Sequence, residues 1–244
     1  MARFNGPQSP CLPNPVIAWL MAAALAVPST AVGSEWVSAA DEQRVTRNGE
    51  WSSSRFRFAE TESLQSLEDR AHLVLSFEGT GLSIRLGGHN VPAYGPPNLG
   101  RLVVAIDGKF ARAIRPLGTP RELVLAEGLE AGRHRVRITH RVDGEKSGCR
   151  IEGFRTWTKP HGHLNFRLSG EHNAFLVDVR AVLSRGKNVV RSVLVRNWLT
   201  GQCGLAGLPP GEDYSLRLHA SGWSTETIEP LSITAGKTTW RPPI

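Results

Sequence analysis

Four histidines stand in sequence contexts that could support metal chemistry: His89 in GGHN, His161 and His163 in HGH, and His172 in GEHN. An H-x-H pair on an extended segment can direct two imidazoles towards one metal ion. The chain has no H-E-x-x-H motif and no C-x-x-C pair to supply further ligands at metal-binding spacing. We therefore expect no metal site and interpret these histidines as solvated loop residues.

Motifs for nucleophilic or phosphate-binding chemistry are also missing. The chain has no G-x-S-x-G elbow, and its glycine-rich stretch FEGTGLSIRLGGHN, residues 77–90, has no following Lys-Ser/Thr pair. Leu82, Ile84 and Leu86 alternate with polar residues in that stretch, which predicts a strand rather than a phosphate loop. Gly79 and Gly81 predict a turn before it. We expect no catalytic residue and no cofactor in this chain.

Loop 87–100, GGHNVPAYGPPNLG, is the strongest candidate for a ligand-binding site. Sugar recognition needs an aromatic ring to cover the apolar face of a pyranose and polar groups to bind its hydroxyls. Arg85, His89, Asn90 and Tyr94 supply that combination. In the alternative, Tyr94 only anchors the loop to the protein. Trp198 and Trp223 are similar candidates for which burial in the core is the simpler interpretation.

The elements that must position these residues are strands. Apolar residues alternate with period two in HLVLSF, LSIRL, RLVVAID and HRVRIT, and each run is bounded by glycine, proline or Asp-Gly. Only residues 63–71 suggest a helical turn, and Asp107-Gly108 predicts a hairpin turn. A second series of strands follows Pro160. The sequence predicts an all-β fold of two antiparallel β-sandwich domains in tandem, at 35–157 and 171–244, joined by a linker at 158–170.

The N-terminus predicts export. The apolar run VIAWLMAAALAV, residues 16–27, is too short to span a bilayer and has the length of a secretory hydrophobic region. We expect residues 1–33 to be a signal peptide and the mature protein to be periplasmic, on the cell surface or extracellular, with no membrane segment. Cys11 is then removed. Cys149 and Cys203 remain, either as a disulfide or as two isolated thiols.

The formal net charge of +7 comes mainly from 24 arginines among 29 basic residues. These arginines are scattered singly along strand-like segments, without a Lys/Arg block or a nucleic-acid-binding motif. We interpret them as a solvated basic surface and expect no nucleic-acid partner. Binding of a polyanion is the alternative, which would weaken steeply with salt.

Residues 45–141 resemble the galactose-binding-like jelly-roll modules that precede secreted esterases and other hydrolases. The resemblance is carried by Gly49 and Trp51, by F-x-G-T-G at Phe77–Gly81, by V-x-I-D-G at Val104–Gly108 and by L-x-x-G-x-H-x-V at Leu129–Val136. The resemblance implies a jelly-roll sandwich with an accessory role.

Residues 171–244 resemble the transthyretin-like, carboxypeptidase-regulatory-like sandwiches of the carbohydrate-binding-like fold. The matching stretch is Thr200–Leu216, followed by Ala235–Thr239. Leu205 and Leu208 are expected to pack inward, and the Tyr214 hydroxyl to bind a nearby loop backbone. The two resemblances imply a non-catalytic pair with a polysaccharide or a hydrolase domain as its partner. Alternatively, the chain is the N-terminal part of a metallophosphoesterase or esterase whose catalytic domain lies beyond residue 244, so enzymatic activity stays open.

Overall fold

A computed structural model describes residues 33–54, 62–87, 100–115, 121–142, 148–168, 179–195, 202–220 and 225–243. The described residues fold as strands without a helix, so the all-β prediction is confirmed. Correspondingly, this part of the chain contains no helix that could cross a bilayer. The predicted signal peptide lies outside it except for Gly33, as do Cys11 and His172.

Nine strands form the first part of the molecule: β1 (Ser34–Ser38), β2 (Val45–Asn48), β3 (Ser52–Ser54), β4 (Ser63–Ser66), β5 (His72–Leu86), β6 (Arg101–Ile106), β7 (Lys109–Ile114), β8 (Arg121–Arg141) and β9 (Cys149–Trp157). Their order is β3-β4-β9-β5-β8-β6-β7, with β1 also on β9 and β2 on β5. Strand β4 occupies the segment in which a helical turn was expected. That expectation was wrong, because Ser63, Leu64 and Ser66 are buried between neighbouring strands.

The long strands β5 and β8 run through both halves of this single nine-stranded sheet. The first half of β5 lies between β2 and the second half of β8, with His72 opposite Thr139. Its second half lies between β9 and the first half of β8, with Leu86 opposite Arg121. The inward side chains of both halves enclose one apolar core, which contains Leu75 and Ile84. We call the half of this sheet that contains β6, β7 and the adjoining parts of β5 and β8 the open sheet, and the half that contains β4, β9 and the other parts of β5 and β8 the covered sheet.

Gly79 and Gly81 lie inside the continuous strand β5, so the turn expected at these glycines was wrong. The register shifts between them, as in a β-bulge, and Trp157 of β9 packs directly against this point. A Cβ atom on Gly81 would lie 2.0 Å from the Trp157 Nε1 atom, and one on Gly79 would lie 2.5 Å from the Trp157 carbonyl oxygen. These glycines therefore allow a close approach of the indole.

Seven strands form the second part: β10 (Gly162–Arg167), β11 (Val179–Arg185), β12 (Asn188–Val195), β13 (Gln202–Leu208), β14 (Gly211–His219), β15 (Glu226–Ile233) and β16 (Thr238–Pro243). Sheets β13-β10-β16 and β12-β11-β14-β15 enclose a second apolar core. Strand β10 lies within the segment 158–170 predicted as a linker, which is a correction, because Leu164 and Phe166 belong to this core. The pair β10-β16 is parallel, against the antiparallel expectation.

Local expectations for this second part hold. Leu205 and Leu208 are buried, and the Tyr214 hydroxyl donates a 2.6 Å hydrogen bond to the Pro209 carbonyl oxygen. The hydroxyl thereby ties strand β14 to the Pro-Pro turn before it.

Candidate functional site

The outer face of the open sheet carries a groove of about 290 Å³. It is lined by residues of three adjacent strands and one turn: His72, Val74, Ala105, Gly108, Arg135 and Arg137. Strand register explains why they meet. Val74 is opposite Arg137, and Arg137 is opposite Ala105, so these three side chains form a row across β5, β8 and β6.

The row continues to the edge strand β7, where Ala105 is opposite Phe110. Directly paired residues share a face of the sheet, so the Phe110 ring stands beside the groove. Its side chain is 69% exposed, which is unusual for a phenylalanine and leaves the ring free to contact a ligand. Asp107-Gly108 forms the hairpin turn between β6 and β7, as expected, and both residues have positive φ.

The groove is basic. Arg135 and Arg137 alternate along β8 and project from the same face. Arg137 Nη2 donates to His72 Nδ1 at 3.4 Å, which holds this guanidinium over the sheet. The His72 Nδ1 atom also lies 3.2 Å from the Arg70 carbonyl oxygen, a contact that requires the other tautomer. None of the six lining residues is acidic.

The carboxylate of Asp107, the residue before the lining residue Gly108, is engaged elsewhere. Its Oδ2 atom lies 2.7 Å from His134 Nδ1, and its Oδ1 atom accepts the Arg135 backbone N–H at 2.8 Å. The hydrogen bond from His134 lowers the pKa of Asp107, and the same bond raises the pKa of His134. Asp107 therefore fixes the turn and the end of β8 and does not pair with the Arg135 guanidinium.

The loop site expected from the sequence is only partly visible. His89, Asn90 and Tyr94 lie outside the described residues, so their role stays a prediction, as it does for Trp198 and Trp223. Arg85 is described, and its Nε atom forms an ion pair with Glu152 Oε2 at 2.8 Å. The Arg85 side chain is 15% exposed, which does not fit the expected role of a solvent-facing sugar ligand. The positive charge of Arg85 is compensated inside the protein by Glu152.

Arg85 belongs to a buried polar layer between the two cores. Strand β13 packs on the covered sheet, and a Cβ atom on Gly204 of β13 would lie 2.6 Å from the Glu122 carbonyl oxygen. The outward side chains of the covered sheet are therefore buried although they are polar. The layer consists of the buried residues Ser83, Glu122, Glu152, Arg155 and, from β12, Arg191, together with the partly buried Arg85.

Glu122 is the centre of this layer. Ser83 Oγ donates to Glu122 Oε1 at 2.7 Å, and Arg155 Nε donates to the same oxygen at 3.2 Å. Burial alone would raise the pKa of Glu122, but the positive charges of Arg155 and Arg191 outweigh it and lower that pKa. Burial, with repulsion from Arg155, lowers the pKa of Arg191 to about 9, so Arg191 is still cationic at neutral pH.

His161 and His163 are buried, with exposed fractions of 2% and 4%, so their interpretation as solvated loop residues was wrong. Both rings pack against Trp157. The Gly207 backbone N–H donates to His163 Nδ1, so the opposite nitrogen, Nε2, carries the proton and donates it to Glu127. His161 Nδ1 donates to the Lys159 carbonyl oxygen. The two rings thus have separate partners, and no metal-binding group of three His, Cys, Asp or Glu residues occurs in the described ranges.

Cys149 and Cys203 are free and buried. Cys149 lies in the first core and Cys203 in the second, which corresponds to the isolated-thiol alternative and not to the disulfide. Burial raises the pKa of each thiol to about 12.

Comparison with known proteins gives a family match for part of the chain. Residues 51–161 match the family model described as Carbohydrate esterase 2 N-terminal. The matched segment contains strands β3 to β9 and the whole groove, and it supports a carbohydrate-binding-like fold. It does not support the resemblance to metallophosphoesterases. A search of curated proteins found no match.

Solved structures similar to this chain include a family two carbohydrate esterase from Cellvibrio japonicus, at 17% identity and a TM-score of 0.42, covering 56% of this chain and 39% of that one. A two-domain esterase active on acetylated mannans, co-crystallised with mannopentaose, has 15% identity and a TM-score of 0.41 over 52% and 36% of the two chains. A carbohydrate-binding module CBM36 in complex with calcium and xylotriose has 13% identity and a TM-score of 0.36 over 51% and 99%. The chain thus spans well under half the length of these two esterases.

A signal for the groove was present in the sequence. Arg133, Arg135 and Arg137 alternate with His134, Val136 and Ile138, so three arginines share one face of a strand. The interpretation of the arginines as a scattered solvated surface did not recognise this shared face. The residues of β5 and β6 that lie beside these arginines can be identified only from the order of the strands in the sheet.

Proposed function

We propose that this protein is an exported, carbohydrate-binding accessory module that acts beside a carbohydrate-active hydrolase domain. One observation carries the proposal: an open groove that is lined by His72, Arg135 and Arg137 and whose lining residue Ala105 is paired with the exposed Phe110 on the edge strand. An aromatic ring covers the apolar face of a sugar, and guanidinium and imidazole groups bind its oxygens.

The location of the groove supports this function. Every residue that lines it lies within the segment 51–161 that is similar to the N-terminal part of carbohydrate esterases. The groove is also on the sheet that the second sandwich leaves uncovered, whereas the covered sheet uses its polar residues for internal contacts. A polymer could therefore bind the first sandwich without displacing the second.

The accessory role rests on the same match, since the matched family model is described as the N-terminal part of a carbohydrate esterase. None of the six residues that line the groove is a serine, threonine or cysteine that could act as a nucleophile. Export follows from the apolar run at residues 16–27. The hydrolase partner is an esterase rather than a metallophosphoesterase in this proposal, because the family match is to a carbohydrate-esterase module.

The test is binding of the full chain to insoluble and soluble polysaccharides, namely cellulose, xylan, mannan and polygalacturonate, by pull-down and affinity electrophoresis. We expect binding to at least one polymer, and a loss of about fivefold to tenfold in affinity for Phe110→Ala, since an aromatic contact of this kind contributes about 1 kcal/mol or more.

Trp240→Ala provides the matched control, because Trp240 is 62% exposed but lies on β16 of the second sandwich. It should leave the affinity unchanged. Binding that depends on Trp240 and not on Phe110 would contradict the assignment of the groove. Absence of binding to every polymer would refute the carbohydrate-binding function.

A further inference from the structure

We infer that the groove on the open sheet selects polysaccharides that carry carboxylate groups, such as polyuronates, over neutral ones. The inference rests on the proposed carbohydrate-binding function and adds the chemical class of the ligand. It is independent of the loop 87–100, because every residue that carries it belongs to β5, β6, β7, β8 or the turn at Gly108.

The first argument is the arrangement of the two guanidinium groups. Arg135 and Arg137 lie two positions apart on one face of β8, so their Cα atoms are separated by about 7 Å. Planar guanidinium groups match carboxylates with paired hydrogen bonds, which gives them a preference for carboxylates over sugar hydroxyls. Two such groups in a row along a strand suit a polymer that presents acidic groups repeatedly.

The second argument is that these charges have no acidic partner among the residues that the structure describes. No carboxylate lines the groove, and Asp107, which is closest in the strand register, binds His134 and the Arg135 backbone. The Arg135 and Arg137 side chains form no ion pair within the described ranges, and the Arg137 Nη2 atom lies 3.4 Å from His72 Nδ1. Elsewhere in the protein, by contrast, Arg85 and Arg155 are paired with glutamates.

The third argument is that apolar side chains lie on both sides of Arg137 and continue to the edge of the sheet. Val74 and Ala105 flank Arg137 directly, and Phe110 follows on β7. A sugar ring can lie over this row with its carboxylate towards the arginines. The combination of one apolar strip and two charges fits a single glycan chain. A nucleic-acid strand would require a longer basic track and several stacking platforms.

The experiment compares two forms of one polymer, polygalacturonate and its fully methyl-esterified form, which have the same sugar but differ in charge. Binding of the full chain is measured by isothermal titration calorimetry at low and moderate salt. We expect polygalacturonate to bind about tenfold or more tightly than the ester, with an affinity that falls as salt is raised. Arg135→Gln with Arg137→Gln should remove this preference.

Arg167→Gln with Arg217→Gln is the matched control, since both arginines are exposed on strands of the second sandwich and their loss changes the net charge equally. This variant should keep the preference. Equal binding of the two polymers, an equal loss in the control variant, or tighter Arg135- and Arg137-dependent binding of single-stranded DNA would overturn the inference.

The outcomes also separate the inference from the proposed function. If a neutral polymer binds and Phe110→Ala weakens it, while polygalacturonate has no advantage, the carbohydrate-binding function stands and the carboxylate preference is refuted. If no polymer binds, both are refuted. Circular dichroism and thermal unfolding of each variant establish that it is folded before binding is compared.

Discussion

The Arg155 Nε atom on β9 lies 3.2 Å from the Glu122 Oε1 atom on β8, with the two side chains 9% and 2% exposed. This ion pair lies where the second sandwich covers the first. Desolvation of both ions is costly and is offset only while they remain paired and hydrogen-bonded. The buried Arg155 charge therefore depends on the Glu122 carboxylate for its compensation.

Glu122→Gln should lower the free energy of unfolding by about 3–5 kcal/mol, because it leaves the buried Arg155 and Arg191 charges without compensation. The measurement is urea-induced unfolding. Glu35→Gln is the control, since Glu35 pairs with Arg44 at the surface and should contribute less than about 1 kcal/mol. Equal effects of the two substitutions would show that burial does not distinguish these pairs.

The pH dependence of stability should contain a contribution from His161. Burial lowers the pKa of this imidazole below 6.5, the ordinary value, and the positive charges of Arg191 and Arg155 lower it further. The unfolded chain then binds this proton at a higher pH than the folded protein does. The stabilisation is complete above pH 6.5 and is lost as the pH falls through the folded-state pKa.

His161→Gln should accordingly reduce the loss of stability between pH 7.5 and pH 5.5, the two conditions at which urea unfolding is compared. The comparison must be made between variants, because His134 acts with the opposite sign. Asp107 raises the pKa of His134, so its contribution is complete below pH 6.5 and is lost at higher pH. An unchanged pH slope in His161→Gln would contradict the assignment.

Gly81→Ala should destabilise the protein by about 3 kcal/mol, because its Cβ atom would overlap the Trp157 indole and force β5 away from β9. Gly132→Ala on β8 is the control. A Cβ atom at Gly132 meets no atom within 4 Å, so this variant should be unchanged or slightly more stable. Thermal unfolding of both variants measures the difference. Similar melting temperatures would argue against the close approach of Trp157.

The two core cysteines should be unreactive in the native protein. Burial raises each thiol pKa to about 12, so neither forms the reactive thiolate at neutral pH. In a Cys11→Ser background, a chromogenic disulfide reagent should detect no thiol before unfolding and two afterwards, without reductant. Absence of both thiols after unfolding would instead reveal a Cys149–Cys203 disulfide.

Alternating apolar residues predict strands well where one face is buried and the other solvated. The run at Leu102–Ile106 is found as β6, and Asp107-Gly108 is its turn. Local side-chain chemistry is also predictable, as the bond between Tyr214 and Pro209 illustrates. In these places the determining contacts are made within a few residues along the chain.

Contacts between distant segments explain the failures. From the sequence, Gly79 and Gly81 are compatible both with a turn and with a strand that passes close to an indole ring. Only the position of Trp157 in the structure distinguishes these two interpretations. Arg85 occupies a polar position in an alternating strand, which looks solvated until β13 covers that sheet. Prediction of the groove requires the order of β5, β8 and β6 in the sheet, and the alternation of apolar residues along the sequence does not determine that order.

The shared strands β5 and β8 also define how force would travel through the protein. The groove residues His72 and Arg137 lie on one half of this strand pair, and Ser83 and Glu122, next to the second sandwich, lie on the other. Tension between a polymer held in the groove and the second sandwich would run along the strand axes. Because each of the two strands has residues at both places, the covalent backbones of β5 and β8 would carry this tension in parallel, and the hydrogen bonds between the strands would bear little of it.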